Sequence, residues 1–247
     1  MELRAAMRTT PATREFTDEP VSDEAIYAIL DDARFAPNGG NRQGWHVIVV
    51  RDQARKQRIA ELYDLGMREY RAHAEVGLVP FVASEAYWRN PPDGPQNLAV
   101  DLDAARRVPL PDGSTRYLQE VPVLLVLTLD LSAISAVDSG VGRLSISAGA
   151  SIYPFAHNIL LAARGRGLGG HVTSVLARQE PALRDLLDIP EHHALGTMLP
   201  IGHPKREITK LRRIPVEEFT RIETADGAPF SPSSFRNRTA TANHVSG

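Results

Sequence analysis

The sequence contains no cysteine. This absence excludes disulfide bonds, thiolate zinc sites, iron–sulfur clusters and a cysteine nucleophile, and it fits a reducing compartment. Redox chemistry in this chain would therefore need a bound cofactor. With 247 residues, the chain is long enough to bury a sizeable hydrophobic core without covalent or metal cross-links.

Long hydrophobic runs and an excess of charge of one sign are missing too. The longest apolar run, residues 121–129, is much shorter than the roughly 20 residues that span a bilayer, and the amino terminus lacks the apolar region of a signal peptide. A net charge of −2 gives no overall attraction to nucleic acid or to an anionic membrane. We therefore expect a cytoplasmic protein with neither nucleic acid nor membrane as a partner.

The order of helix and strand signals favours an α+β fold. Ser22 and the acidic residues after it predict a helix start, and that helix should end near Phe35. The continuous apolar run at 121–129 predicts a central strand covered on both faces. Residues 148–163 carry apolar side chains at helical spacing, with Gly165 as a stop signal. Further helices are expected at 53–70 and 180–187, and further strands at 46–50, 171–175 and 195–201.

A single domain, residues 1–226, accounts for this pattern. Within it, residues 76–118 lose periodicity and are interrupted by prolines, which is typical of a lid or a binding insertion. Tyr87 and Trp88 in this segment are candidates to stack on a substrate. The polar, aperiodic residues 227–247 predict a tail that is mobile or lies on a partner.

A glycine motif near residue 167 resembles a nucleotide-binding loop only as a string. Gly165-x-Gly167-x-x-Gly170 follows a predicted helix, whereas the dinucleotide fingerprint follows a strand. A helix C-cap and a tight turn explain Gly165 and Gly167. Gly169 and Gly170 are left over, and backbone without side chains next to a strand permits close approach of a flat ligand.

Metal and nucleophile motifs are weak. His192 and His193 are adjacent, and because neighbours on a chain point apart, no metal site is expected there. Residues 145–149 lack the first glycine of a nucleophile elbow, so hydrolase chemistry is unsupported. No side chain is therefore assigned as a catalytic acid, base or nucleophile.

A basic cluster follows the last predicted strand. Such a cluster is either a solvated face or a clamp for one phosphate monoester, and the sequence leaves both interpretations open. Its members are Lys205, Arg206, Lys210, Arg212 and Arg213.

Three stretches together resemble the FMN-dependent nitroreductase family. Residues 7–21, MRTTPATREFTDEPV, are similar to the family's opening R-R-S-x-R-x-F-x-x-x-P-V, although Ala12 stands where that motif has serine. Residues 36–45, APNGGNRQGW, resemble A-P-S-x-x-N-x-Q-P-W. The GLGG at 167–170 and the LPIGHP at 199–204 are similar to the family's later glycine motifs. The resemblance spans about residues 5–218.

The resemblance implies a nitroreductase-like α+β fold with a mixed central sheet flanked by helices. It also implies a domain-entwined homodimer with two FMN sites at the interface, each built from both protomers. The opening arginines and the basic cluster of the family hold the FMN phosphate, and guanidinium groups match that role because they bind phosphate in two-pronged fashion. The corresponding residues here are Arg8, Arg14, Lys210, Arg212 and Arg213.

Contacts with the flavin itself are implied for two further segments. The loop of Pro37, Asn38 and Gly39 would lie along the flavin. Asn41 and Gln43 would supply side-chain amides, which both donate and accept hydrogen bonds. Gly169 and Gly170 would bring backbone N–H groups to the ring edge near N5.

The implied activity is the reduction of a small-molecule acceptor by NADPH or NADH through FMN. Because the cofactor performs the hydride chemistry, no side-chain acid or base is demanded. A ping-pong order with nitroaromatics or quinones as acceptors is the main hypothesis. The alternatives are a reductive dehalogenase or a flavin-consuming enzyme of the same fold, and a non-catalytic flavin-holding protein.

Overall fold

The computed structural model of the protein describes residues 1–76, 100–111, 114–143 and 145–234. The chain forms two compact units, Met1–Thr209 and Lys210–Gly247. Most of the predicted lid, including Tyr87 and Trp88, lies outside the described residues, as does the tail from residue 235 onward. The predicted domain of residues 1–226, its lid and its tail therefore stay predictions.

Helices make up most of the regular structure. Among the described residues of the first unit, the α-helices are α1 (Leu3–Thr9), α2 (Asp23–Ala33), α3 (Gln53–Glu75), α4 (Leu102–Arg107), α5 (Tyr117–Glu120), α6 (Ile152–Gly165) and α7 (Glu180–Leu187). Short 3-10 helices occupy Gly39–Asn41, Ser147–Gly149 and Val175–Gln179, and α8 (Val216–Phe219) lies in the second unit. Within the described residues, no helix combines the length and the apolar character that a membrane span requires.

A central sheet runs through the first unit. Its strands in the described residues are β1 (Trp45–Val50), β2 (Val123–Asp130), β3 (Gly169–Gly170) and β4 (His193–Gly202), in the spatial order β1-β2-β4-β3. Neighbouring strands pair antiparallel, and the parallel component is an isolated bridge between Ala12 and Gly170. This arrangement of helices and strands confirms the α+β class.

The two ends of β2 carry different parts of the molecule. Val123 at its start pairs with Ile201, which in turn pairs with Gly170, so β3 lies beside the first end of β2. At the other end Leu129 pairs with Trp45, and the Asp130 N–H donates to the Gly44 carbonyl at 2.8 Å.

The core is divided by the sheet into two layers. Side chains alternate between the two faces of a strand, and β2, which is buried from Val123 to Leu129, shows this alternation. Leu125 and Leu127 pack in one cluster with residues of α2 and α6, such as Ile29 and Ile159. Leu124 and Val126 pack in a second cluster with residues of α3, α5 and α7. Burial on both faces explains why β2 is a continuous apolar run.

Several elements predicted from periodicity are confirmed. The Ser22 side chain accepts a hydrogen bond from the Ala25 N–H at 3.1 Å, which caps α2 as expected. Helix α6 ends at Gly165, and the left-handed residue that closes it is Gly167, with φ +77°. The Leu168 N–H donates to the Ala163 carbonyl across this turn, so the glycine motif is a helix terminus rather than a phosphate loop.

The strand predicted at residues 171–175 is wrong. The strand beside β4 is the two-residue β3, and residues 175–179 form a 3-10 helix. Beyond β3, Thr173 forms a single bridge to Met198, while the ring of His171 is drawn to the Thr13 carbonyl. Tertiary contacts of individual side chains therefore replace the ladder that β propensity predicted.

Candidate functional site

The amino-terminal segment that carries Arg14 lies along the continuation of β4. The Thr17 N–H donates to the His203 carbonyl at 2.8 Å, and the Lys205 N–H donates to the Glu15 carbonyl at 3.0 Å. A bridge between Phe16 and Pro204 lies between these two bonds. The pairing fixes Arg14 and Lys205 on the same cleft.

This cleft has a volume of about 400 Å³ and is rich in cations. Arg116 in its wall is paired with Glu120 at 2.6 Å. Within the described residues, the side chains of Arg14 and Lys205 take part in no ion pair. Two unpaired cations therefore face the cleft and can attract an anion such as a phosphate. Among the described residues, the cleft is lined by Arg14, Glu15, Phe16, Ser114, Arg116, Tyr117, Glu120 and Lys205.

The buried His171 ring, supported by the half-buried Tyr117, holds the backbone next to Arg14. The His171 Nδ1 donates to the Thr13 carbonyl at 2.7 Å, and the Thr13 N–H donates to the Gly170 carbonyl at 3.0 Å. Because Nδ1 carries the proton, Nε2 accepts from the Tyr117 hydroxyl at 3.2 Å. Both backbone groups of Thr13 are therefore held, and Arg14 projects from a fixed point.

Burial sets the protonation of these two rings. It lowers the pKa of His171 to about 4 and raises the pKa of Tyr117. His171 is therefore neutral and Tyr117 protonated at pH 7, which is the state that the chain of hydrogen bonds requires.

The glycines of β3 are required by packing within the protein. A Cβ on Gly169 would lie 2.6 Å from the Thr13 Oγ1, and a Cβ on Gly170 would lie 2.5 Å from the Pro200 carbonyl oxygen. The space left by each missing side chain is therefore filled by the protein. Contact of Gly169 and Gly170 with a flavin remains a prediction.

The loop between α2 and β1 has an unusual backbone. Asn41 and Gln43 both adopt left-handed conformations, with φ of 53° and 52°. The Asn38 Oδ1 accepts from the Gln43 N–H at 2.9 Å, and Ser151 accepts from the Gly39 N–H at 3.3 Å. Positive φ at residues other than glycine costs free energy and concentrates at ligand sites. The side chains of Asn41 and Gln43 are exposed, as are Pro37 and Gly39, while Asn38 is half-buried.

The structure does not bring the two groups of predicted flavin residues together within one chain. Arg14 and β3 lie at the Val123 end of β2, whereas the loop of Asn41 and Gln43 joins the sheet at the Asp130 end. Eight strand residues separate these ends, a distance of about 23 Å at the usual rise per residue.

The remaining predicted phosphate contacts are exposed. Arg8 lies in the last turn of α1 and is absent from the lining of the Arg14 cleft. Lys210, Arg212 and Arg213 belong to the second unit, and all three are exposed. Their role in holding a phosphate remains a prediction.

Sequence reasoning missed Arg116, Tyr117 and His171. The first two fall at the edge of a segment that shows no periodicity, and His171 lies 54 residues beyond Tyr117. The only available signal was their residue type, since a histidine and a tyrosine in apolar surroundings need polar partners.

The chain belongs to the nitroreductase family. The sequence profile of that family matches residues 6–203. The matched range includes the Arg14 segment, the loop of Asn41 and Gln43, and β3.

Curated relatives cover most of the chain. A nitrobenzene nitroreductase from Ectopseudomonas oleovorans is 27% identical over 231 residues, which covers 87% of this chain and 93% of that protein. An FMN reductase [NAD(P)H] from Bacillus subtilis is 26% identical, and the alignment covers 85% of this chain and 69% of that protein. An iodotyrosine deiodinase from Nematostella vectensis is 25% identical, with coverages of 88% and 74%.

Solved structures support the same fold. The NADPH:FMN oxidoreductase from Vibrio harveyi, in complex with NAD⁺, superposes with a TM-score of 0.62 at 17% identity, covering 97% of this chain and 85% of that one.

Proposed function

We propose that this protein is an FMN-dependent oxidoreductase that uses NADPH or NADH to reduce electron-poor small molecules such as nitroaromatics and quinones. The observation that carries the proposal is the cleft on which Arg14 and Lys205 form no ion pair with any described residue, within a chain of the nitroreductase family. The names of the nitrobenzene nitroreductase and FMN reductase relatives support the same chemistry.

The residues of the cleft and loop suit FMN. Arg14 and Lys205 present the cations that a phosphate monoester needs, and Arg14 is held by the clamped Thr13 backbone. Asn41 and Gln43 offer amides that both donate and accept, which suits ribityl hydroxyls and the polar edge of the ring. Bound FMN supplies the acceptance and transfer of hydride.

The chain's own residues then have only to bind and orient. A single slot serves donor and acceptor in turn, so the oxidised nicotinamide leaves before the acceptor enters. No side chain has to exchange a proton in this scheme.

We further propose a homodimer in which each flavin site uses two chains. The positions of Arg14 and of the loop of Asn41 and Gln43 support this arrangement, because one chain places them at opposite ends of β2, a strand about 23 Å long. Exposed apolar side chains fit a covered surface: Leu3 and Met7 lie four residues apart on α1, and Phe35 precedes the loop.

Steady-state kinetics on FMN-loaded protein test the activity. Oxidation of NADPH or NADH should depend on FMN and on an acceptor such as nitrobenzene or a benzoquinone. Double-reciprocal plots at several acceptor concentrations should give parallel lines, as a ping-pong order requires. Intersecting lines would contradict that order, and no acceptor-dependent oxidation with either nucleotide would contradict the activity.

Mixing two defective variants tests the shared site. Arg14→Ala and the double variant Asn41→Ala/Gln43→Ala should each retain little FMN. After subunit exchange, half of the dimers are mixed and carry one intact site of two, so about a quarter of all sites should recover FMN. No recovery in a mixture shown to contain mixed dimers would mean that each site is built from one chain.

A second candidate function is reductive dehalogenation, which the relationship to the iodotyrosine deiodinase favours. The discriminating measurement is iodide release from an iodinated phenol under reducing, anaerobic conditions. Iodide release at a rate greater than the rate of nitrobenzene reduction would favour the dehalogenase function.

A further inference from the structure

A second cluster of polar side chains, outside the candidate flavin site, consists of two histidines and an aspartate. His192, His193 and Asp130 each offer a ligand atom, and these atoms all lie within 4.8 Å of one another. The rings of His192 and His193 meet edge to face at 4.6 Å between centroids, so the expectation that their side chains diverge is wrong. His193 is buried and His192 is exposed, which gives the cluster one fixed member and one open to solvent.

The backbone explains this convergence. His193 is the first residue of β4 and pairs with Asp130, the last residue of β2, so their side chains lie on the same face. His192 precedes the strand in a turn, where the alternation of a strand does not apply. Its carbonyl accepts from the Leu131 N–H at 2.9 Å, which holds the turn against the end of β2.

Hydrogen bonds to neighbouring groups occupy one polar atom each of His193 and Asp130 and leave the other atom of each side chain to bind a metal ion. The Thr128 hydroxyl lies 3.2 Å from His193 Nδ1, so Nε2 is the nitrogen left for a ligand. Pairing of the second ring nitrogen in this way is the usual support of a metal-binding histidine. The N–H and hydroxyl of Ser132 both donate to Asp130 Oδ1, at 2.8 and 2.6 Å, and within the described residues Oδ2 accepts no hydrogen bond.

We propose that His192, His193 and Asp130 form a binding site for a divalent transition-metal ion of the zinc class. Two imidazoles favour zinc, nickel or copper over magnesium and calcium, which prefer ligands made only of oxygen. Tetrahedral zinc with bonds of about 2.0–2.1 Å places its ligand atoms about 3.3 Å apart. The ligand atoms of the cluster lie within 4.8 Å of one another, so small side-chain rotations are enough to bring them to this spacing. The exposed His192 side chain can make such rotations. The ion would join the ends of β2 and β4.

Calorimetric titration of the full, untagged chain with ZnCl₂ tests the proposal. We expect one site per chain in the wild type. Two variants should bind zinc at least tenfold more weakly. His192→Gln removes the exposed ligand, and Asp130→Asn keeps an oxygen for Ser132 while removing the charge. Zinc should also raise the unfolding temperature of the wild type in a concentration-dependent way and leave both variants unchanged.

His157→Gln is the matched control, because His157 is an exposed histidine of α6 outside the cluster. It should bind zinc as tightly as the wild type. The proposal is overturned if the wild type binds no zinc, or if His192→Gln and Asp130→Asn bind zinc as tightly as His157→Gln does. Circular dichroism of each variant without zinc checks that the fold is kept.

Discussion

Replacing Arg14 by alanine should weaken FMN binding without unfolding the protein. Arg14 is exposed on a cleft that it shares with Lys205 and the paired Arg116, and within the described residues it forms no ion pair of its own. Its removal therefore leaves no internal partner unsatisfied. The effect should fall on an anion in the cleft.

The magnitude follows from the kind of contact that is lost. A hydrogen bond to a charged group contributes about 1.5–3 kcal/mol, which corresponds to roughly tenfold to a hundredfold in affinity. Lys205 remains, so binding should be weakened rather than abolished. Arg14→Lys keeps the charge but not the two-pronged geometry, and it should lie between wild type and alanine.

Quenching of FMN fluorescence on titration into apo-protein measures the Kd. Arg58→Ala is the matched control, because Arg58 is an exposed arginine of α3 whose partner is Glu61 at 2.7 Å. The control should bind FMN within twofold of wild type. Equal Kd values for Arg14→Ala and Arg58→Ala, with unchanged melting temperatures, would refute the role of Arg14.

Three further predictions concern stability. Gly169→Ala should lower the free energy of unfolding by about 1–3 kcal/mol in urea titrations, because its Cβ would lie 2.6 Å from Thr13 Oγ1. Gly165→Ala, with open space around its Cβ, should not lower it. Equal stabilities of the two variants would contradict the packing described for Gly169. Glu69→Gln should lower the free energy of unfolding by about 3–5 kcal/mol, because this fully buried carboxylate pairs with Arg106 and Arg178, at 2.6 and 2.7 Å. The control Glu61→Gln, at an exposed position, should lower it by less than about 0.5 kcal/mol. A small loss of stability for both variants would mean that the ion pairs of Glu69 are dispensable. The pKa of His171 is lowered to about 4 in the folded protein, so this histidine binds a proton more readily in the unfolded chain. As pH falls from 7 toward 4, the wild type should therefore lose up to about 3 kcal/mol more stability than His171→Asn. Parallel profiles of stability against pH for the two proteins would contradict this.

The elements that could be predicted from the sequence are those fixed by a repeating pattern. Burial of one stripe of α6 against the sheet imposes the helical spacing of Ile152, Phe155 and Ile159, and burial of β2 on both faces imposes its apolar run. The Ser22 cap is equally local, because the bond that it makes reaches only three residues along the chain.

The parts that could not be predicted depend on contacts between distant positions. The His171 ring faces Thr13, which is 158 residues away, and this contact stands where a strand was expected. The side chains of His192 and His193 converge because His193 is the first residue of β4 and His192 lies just before it. If β4 began one residue earlier, strand alternation would point the two side chains to opposite faces, and a strand boundary cannot be predicted to one residue. Motif resemblance supplied the Arg14 segment and the loop of Asn41 and Gln43, but not their places at opposite ends of β2.

Anaerobic mixing of the FMN-loaded protein with NADPH, and separately with NADH, tests the proposed oxidoreductase activity, because it isolates electron transfer from donor to flavin without any acceptor. At least one nucleotide should rapidly bleach the visible absorption of the bound flavin, and a nitroaromatic or quinone should then restore it. A protein that binds FMN stoichiometrically and keeps its full visible absorption with both nucleotides would be a flavin holder, and the proposed activity would be wrong.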